Sequence, residues 1–224
     1  MSRVTVGLDG RHAPAALAGL CVLGFGGHAR SVLDVALSAG VKDFFFVDTN
    51  AAEGESLLGF PVLAAMPDSL PAGWAVFPAA GANERRAGQV DGALRAGWPL
   101  ATLVSPLASL GVGATIESGC FIGHHAHIGP MARIGTGCII NTGALVEHEA
   151  VVGDFCHVSV NAVMAGRTRI GRAVMIGAGA TVLDGLSVAD GVTIGGGGLV
   201  HRSISEAGVY VGVPARPVAA SRTP

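Results

Sequence analysis

The chain has 224 residues, half of them hydrophobic, with 35 glycines, 13% charged residues and a formal net charge of −2. The hydrophobic fraction excludes a disordered chain, and the small negative charge argues against nucleic acid or an anionic membrane as a partner. No apolar run approaches the roughly 18 residues needed to span a bilayer. We therefore expect a cytoplasmic protein with one large or two small domains.

The N-terminal segment lacks the apolar core of a signal peptide, because Asp9, Arg11 and His12 interrupt it. We interpret residues 1–19 as a flexible extension. Two domains and a short tail are expected to follow, over residues 20–104, 105–216 and 217–224.

A β-α-β pattern with a parallel, Rossmann-like sheet is predicted for the first domain. Its strands are expected over residues 20–24, 44–47, 59–63 and 74–80. One helix is predicted over 31–39, and another starts within 81–86 and ends near Ala96. The carboxyl ends of such strands meet at one edge of the sheet, where ligands bind. Three segments fall at that edge: 24–28, 48–49 and 81–83.

The turn after the first strand matches a dinucleotide fingerprint through Gly24, Gly26 and Ala29, and Asp48 follows the next strand. Glycines allow a close backbone approach, and the start of a helix favours an anionic phosphate. A nucleotide sugar, NAD and a purely structural turn are all compatible with this pattern. Only roughly 80 residues precede the second domain, half of what a full dinucleotide domain needs, which favours a nucleotide sugar.

The second domain repeats every six residues from Leu110 to Ile204, which predicts a parallel β-helix with three strands in each 18-residue coil. Neither a helix nor a single strand produces this period. The aliphatic positions are Leu110, Ile116, Ile122, Ile128, Ile134, Ile140, Val146, Val152, Val158, Met164, Ile170, Ile176, Val182, Val188, Ile194 and Val200.

Three of the four cysteines, Cys120, Cys138 and Cys156, are spaced one coil apart at the small inward position of the repeat. We expect them to form a buried stack of small apolar side chains rather than a disulfide or zinc set.

Histidines and acids concentrate at two places in the repeat. His124, His125 and His127 suggest a metal site, but no further ligand accompanies them, so we expect surface or interface histidines and no metal. His148 lies between two glutamates, and His157 follows half a coil later, on a different side of the triangular coil. These two histidines could share a site only in a groove between subunits.

Several segments together resemble the nucleotide-amino-sugar N-acetyltransferases of the left-handed β-helix class, the class of the bacillosamine-pathway UDP-4-amino-sugar and the perosamine N-acetyltransferases. They are the Gly-x-Gly-Gly-His turn at 24–28, NTGALVEHE at 141–149, GDFCHVSV at 153–160, Ala-Gly at 165–166 and YVGVPAR at 210–216. The resemblance covers roughly residues 20–216 and implies a left-handed parallel β-helix. Ser105 departs from it, since many relatives carry histidine there; we expect no effect on the chemistry.

The resemblance implies a homotrimer with acetyl-CoA in the grooves between coils and the sugar nucleotide on the small domain. It implies His148 as general base, with Glu149 raising its basicity. Residues matching the acetyl-CoA contacts are His157, Gly166, Ala178 and Gly196. Residues matching the substrate contacts are Gly26, Gly27, His28, Asp48, Thr49 and Gly81.

The expected reaction is transfer of acetyl from acetyl-CoA to the 4-amino group of a UDP-, dTDP- or GDP-linked deoxysugar. Such an amine attacks a thioester only as the free base, so a histidine with an adjacent carboxylate suits the task. The Gly166 N–H is a candidate donor to the oxyanion, and no acyl-enzyme is needed. Two alternatives stay open: O-acetylation of a sugar of the sialic acid type, and a non-enzymatic trimeric scaffold with a nucleotide-binding domain.

Overall fold

The computed structural model describes residues 3–7 and 17–218, and its first segment is an ordered part of the fold. Strand β1 (Val4–Thr5) pairs antiparallel with Thr115–Ile116 of the β-helix. The side chains of Val4 and Val6 are buried against the first coil. The expectation of a flexible extension is therefore wrong for residues 3–7, because the open end of a β-helix exposes apolar core that a strand can cover. Residues 8–16 lie outside the described part of the chain.

A five-stranded sheet with two helices forms the α/β domain. The elements are β2 (Gly19–Leu23), α1 (Gly27–Ser38), β3 (Phe44–Val47), β4 (Ser56–Leu57), β5 (Phe60–Leu63), β6 (Trp74–Pro78) and α2 (Asn83–Arg95). The strand order is β4-β5-β3-β2-β6, parallel except for β4. Helix α1 begins four residues before the prediction, because Ala29 already belongs to its buried face.

The rest of the chain is a left-handed parallel β-helix with three sheets, as predicted. The docked sheet, which faces the α/β domain, contains β7 (Leu103–Val104), β10 (Phe121–Ile122), β13 (Ile139–Ile140), β16 (His157–Val158), β19 (Met175–Ile176), β22 (Thr193–Ile194), β24 (Val209–Val211) and the antiparallel β25 (Arg216–Pro217). The open sheet contains β8 (Ser109–Leu110), β11 (His127–Ile128), β14 (Leu145–Val146), β17 (Val163–Met164), β20 (Thr181–Val182) and β23 (Leu199–Val200). The capped sheet adds β9 (Thr115–Ile116), β12 (Arg133–Ile134), β15 (Val151–Val152), β18 (Arg169–Ile170) and β21 (Ser187–Val188) to β1.

The repeat positions form the core of the coil. All sixteen aliphatic residues are buried except Leu110, which packs against the cluster from the first rung. Cys120, Cys138 and Cys156 are fully buried free thiols, which confirms the predicted stack. Burial raises the pKa of the Cys138 thiol well above its ordinary value, so it is held protonated and is no nucleophile.

The α/β domain packs on the coil through both of its helices. Helix α1 shares an apolar cluster with Phe121 and Ile139, the outward residues of the docked sheet. Helix α2 packs against Phe155 at a turn of the coil. Within the described residues 3–7 and 17–218, no helix is long and apolar enough to cross a bilayer.

Candidate active site

A cavity of about 580 Å³ lies at the carboxyl ends of β2, β3 and β6. It is where the sequence predicts a nucleotide-sugar site, since the three strand ends meet there. All six residues that the sequence indicates for substrate binding line this cavity: Gly26, Gly27, His28, Asp48, Thr49 and Gly81.

Asp48 braces the glycine-rich turn. Its Oδ2 accepts a hydrogen bond from the Phe25 N–H at 2.9 Å, and its Oδ1 accepts one from the Asn50 N–H at 3.0 Å. The Asn50 bond, and then the Phe25 bond, lower the pKa of the Asp48 carboxyl. The acid is therefore ionised at neutral pH and holds the turn in the shape that exposes the backbone N–H groups at the start of α1.

Sequence reasoning missed two residues of α2 that also line the cavity, Arg85 and Gln89. Arg85 supplies a positive charge suited to a phosphate group. Gln89 accepts a hydrogen bond from the Ala80 N–H at 3.0 Å and donates one to the Leu23 carbonyl at 2.8 Å, so it joins two of the strand ends. Their spacing of four residues puts both on one helix face, a signal present in the sequence.

His28 and His157 meet where the α/β domain covers the docked sheet. Their ring centroids are 6.4 Å apart, and His157 is only 9% exposed. Burial, and secondly the nearby charge of Arg86, lowers the pKa of His157 to about 4. Burial, then repulsion from His157 when that ring is protonated, and then the charge of Arg86 lower the pKa of His28 to about 3. Both rings are therefore neutral at physiological pH.

Asn141 sets the tautomer of His157. The Asn141 Oδ1 accepts a hydrogen bond from the Thr142 N–H at 2.8 Å, which turns its amide nitrogen toward His157 Nε2 at 3.2 Å. Because that nitrogen donates, Nε2 must be the acceptor and the neutral ring carries its proton on Nδ1. Nδ1 is buried and makes no hydrogen bond of normal geometry among the described residues, although the Gly81 backbone is near enough to oppose the fall in the pKa of the ring.

His148 lies at the turn between the open and capped sheets, beside the acid that the sequence indicates. Its Nδ1 is 3.2 Å from Glu149 Oε2, and both side chains are about half exposed. Its ring rests on Gly166, the equivalent residue of the next coil, where an added β-carbon would lie 2.4 Å from His148 Nε2. The Gly166 N–H has no acceptor in the described part of the chain.

The predicted coil residues do not all come together within one chain. Gly166 and the stacked pair Ala178 and Gly196 lie at opposite edges of the open sheet, on turns that flank its strands. His157 instead lies on the docked sheet, beneath the α/β domain. His148 and the nucleotide cavity are thus on different sides of the coil.

The histidine cluster near the first coils does not converge on a metal. His124 Nδ1 is 2.6 Å from Ser105 Oγ and its Nε2 is 3.1 Å from Asp34 on α1, so it links the two domains. His127 is bonded to Ser109. Within 3–7 and 17–218, no group of three or more His, Cys, Asp or Glu side chains is arranged to hold a metal ion.

Known proteins match both parts of the chain. The model of the PglD N-terminal domain family matches residues 19–91. The acetyltransferase domain of PglB from Neisseria gonorrhoeae, solved with acetyl coenzyme A, is 30% identical with a TM-score of 0.83, over 91% of this chain and 100% of that one. PerB from Caulobacter crescentus, solved with CoA and GDP-perosamine, is 29% identical with a TM-score of 0.81, over 92% of this chain and 100% of that one.

The two solved structures match more than nine-tenths of the chain, so the likeness covers both domains. Identity at this level over nearly the whole chain goes beyond a shared fold. The chain therefore belongs to the nucleotide-amino-sugar N-acetyltransferases of the left-handed β-helix class.

Proposed function

We propose that the protein transfers acetyl from acetyl-CoA to the 4-amino group of a nucleotide-linked deoxysugar. Residues 20–104 hold the nucleotide sugar, and residues 105–216 perform the transfer. The observation that carries the proposal is His148, with one ring nitrogen held by Glu149 and the other open above Gly166. A cytoplasmic location is consistent with the four free, buried thiols among the described residues.

In the proposed mechanism His148 acts at Nε2 as the general base. Glu149 keeps the proton of the neutral ring on Nδ1 and favours the imidazolium that forms when Nε2 accepts a proton. The amine nitrogen attacks the thioester carbonyl carbon as His148 removes its proton. The carbon–sulfur bond then breaks, and the imidazolium returns the proton to the departing CoA thiolate. No acyl-enzyme forms, in line with the burial of Cys21, Cys120, Cys138 and Cys156.

The oxyanion of the tetrahedral intermediate is assigned to the free N–H of Gly166, which lies directly beside His148. The acetyl-CoA contacts are assigned to His157, Gly166, Ala178 and Gly196. For His157 the Nδ1–H that Asn141 enforces is the group able to donate to an acceptor. In this role the ring is a neutral hydrogen-bond donor and not a base.

The proposed assembly is a homotrimer, and the separation of the two sites supports sites shared between subunits. His148 and the nucleotide cavity lie on different sides of one coil, so in the proposed trimer one subunit's His148 meets the cavity of another. Three of the six outward residues of the open sheet, Leu145, Val163 and Leu199, are apolar and only half-buried in the single chain. A neighbouring coil packed against them would bury this surface and form the groove for acetyl-CoA.

To identify the nucleotide of the substrate, thermal unfolding is measured with UDP-, dTDP- and GDP-linked 4-amino sugars, each with and without CoA. A specific ligand stabilises the folded state by mass action. At about 100 times its Kd, the matching sugar is expected to raise Tm by roughly 5 to 10 °C. Arg85→Gln should reduce this shift, and Arg95→Gln, on the same helix but outside the cavity, should not.

Three results would contradict the proposal. A protein stabilised by CoA but by none of the three nucleotide sugars lacks the proposed substrate. A protein stabilised by a nucleotide sugar that releases no CoA with any amino or hydroxy sugar matches the scaffold alternative. Acetylation of a hydroxyl alone supports the O-acetyltransferase alternative.

A further inference from the structure

Three residues stack at one turn of successive coils: His148, Gly166 and Asp184. The parallel pairings of β14, β17 and β20 fix this register, since Val146 pairs with Met164 and Met164 with Val182. Gly166 has no side chain, and its buried backbone lets the side chains of His148 and Asp184 converge on the place where a side chain would lie. At the point where a β-carbon of residue 166 would lie, His148 Nε2 is 2.4 Å away and Asp184 Oδ1 is 2.9 Å away.

These two atoms have complementary chemistry. Nε2 is the open nitrogen of His148, because Glu149 occupies Nδ1. Asp184 Oδ2 is paired with Arg167, which orients the carboxylate and leaves Oδ1 directed to the Gly166 side. A hydrogen-bond acceptor and an anionic oxygen therefore converge beside the same glycine.

The charges around the stack favour a cation. Glu149 and Asp184 are acidic, Arg167 is basic, and all three side chains are about half exposed. With His148 neutral, these four residues carry a net charge of −1. An aliphatic amine has a pKa near or above about 8, so it arrives at this surface mainly as an ammonium ion.

We propose that Asp184 selects amine acceptors, by binding the protonated 4-amino group of the sugar and holding it against His148 Nε2. The inference rests on the proposed function, in which His148 is the base. An ammonium has three protons and can bond to Asp184 and His148 at once. A sugar hydroxyl has one proton and no charge, so it can satisfy only one of them.

The proton balance is complete without another reactant. The ammonium gives one proton to His148, which releases it to solvent, and the free amine attacks the thioester carbon. The second nitrogen proton passes through His148 to the CoA sulfur as the carbon–sulfur bond breaks. Asp184 stays ionised throughout, so it is a substrate-binding residue and not a second base.

The test measures Kd by calorimetry in the presence of CoA for a nucleotide-linked 4-amino sugar and for the same sugar with a 4-hydroxyl group. The protein should bind the amine more tightly, and Asp184→Asn should reduce this preference by roughly 10- to 100-fold, through loss of a charge-assisted bond. Asp184→Glu should restore part of it. Asp190→Asn is the matched control, because Asp190 caps another turn through the Arg172 N–H.

An equal preference in the unchanged protein and in Asp184→Asn would overturn the proposal, as would an equal loss in Asp190→Asn. A failure of the proposed function can be distinguished from these two outcomes by the turnover of a His148 variant. If His148→Asn keeps full turnover, the base assignment fails whatever the binding preference. If it abolishes turnover and keeps the preference, the two residues have the separate roles proposed.

Discussion

Replacing His148 with asparagine is expected to lower kcat by at least about 100-fold, because general-base catalysis typically contributes that much or more. The side chain is half exposed, pairs with Glu149 and lies over Gly166, so the fold should not change. The rate is measured as CoA thiol released with saturating nucleotide-linked amino sugar.

The matched control is His125→Asn, the same substitution at another exposed turn of the coil. His125 has a φ of +58°, which asparagine tolerates well, so this variant should keep its activity. Glu149→Gln should give an intermediate loss, since the ring keeps its orientation but loses the charge that supports the imidazolium. Full activity in His148→Asn would rule it out as the base.

Replacing Arg86 with methionine is expected to destabilise the protein by at least about 3 kcal/mol. Arg86 is fully buried and donates six hydrogen bonds, five of them to backbone carbonyls. Two of those carbonyls, Ala80 and Gly81, belong to the nucleotide cavity, and three, Gly137, Phe155 and Cys156, belong to the coil. Methionine fills the space of the stem but leaves these carbonyls unpaired.

Urea unfolding measures the loss, with Arg85→Met as the control because Arg85 is the exposed neighbour on α2. Arg85→Met should change stability little while weakening nucleotide binding. Arg86→Lys should fall between, since an ammonium cannot reach both domains with the same geometry. Equal stability of Arg86→Met and the unchanged protein would mean that the two domains do not depend on this residue.

The Arg86→Met variant should also change how the free energy of unfolding depends on pH. His28 and His157 have pKa values of about 3 and about 4 in the fold, below the ordinary 6.5. As pH falls from 6.5 toward 4, the unfolded chain binds protons that the folded one does not, so the free energy of unfolding decreases, by up to about 1.4 kcal/mol per pH unit for each histidine. Without the charge of Arg86 the pKa of His157 should rise, and this loss should become smaller. A flat profile between pH 6.5 and 5 in the unchanged protein would contradict two buried neutral rings.

The coil was predictable from the sequence because each six-residue unit repeats the same pattern of apolar residues. Sixteen aliphatic positions with a period of six are compatible with a β-helix and with no other regular structure, and all but Leu110 are buried. The cavity was predictable for a related reason, since parallel strands bring Gly24, Asp48 and Gly81 to one edge. Both predictions depend on short sequence patterns and not on contacts between distant parts of the chain.

What the sequence did not reveal depends on contacts between distant elements. The alternation of Val4 and Val6 is too short to predict a strand. This segment is a strand because it pairs with the first coil and its valines cover the core there. His157 occupies an outward position that sequence cannot distinguish from a solvent-exposed one until the α/β domain covers it.

Two other features have a signal in the sequence. Arg86 lies four residues before Val90 and seven before Ala93, so it shares the apolar face of α2. An arginine on that face indicates a buried side chain that donates hydrogen bonds. His148, Gly166 and Asp184 are each one 18-residue coil apart, which already places them in one stack.

The most direct test identifies the atom that receives the acetyl group. The protein is incubated with acetyl-CoA labelled with carbon-13 at the carbonyl and with the nucleotide-linked 4-amino sugar that stabilises it, and the product is examined by NMR. The proposed function predicts an amide carbonyl coupled to the N–H at C4, with one CoA thiol released for each acetyl group. An ester carbonyl beside a free 4-amino group, or no thiol release by folded protein, would contradict it.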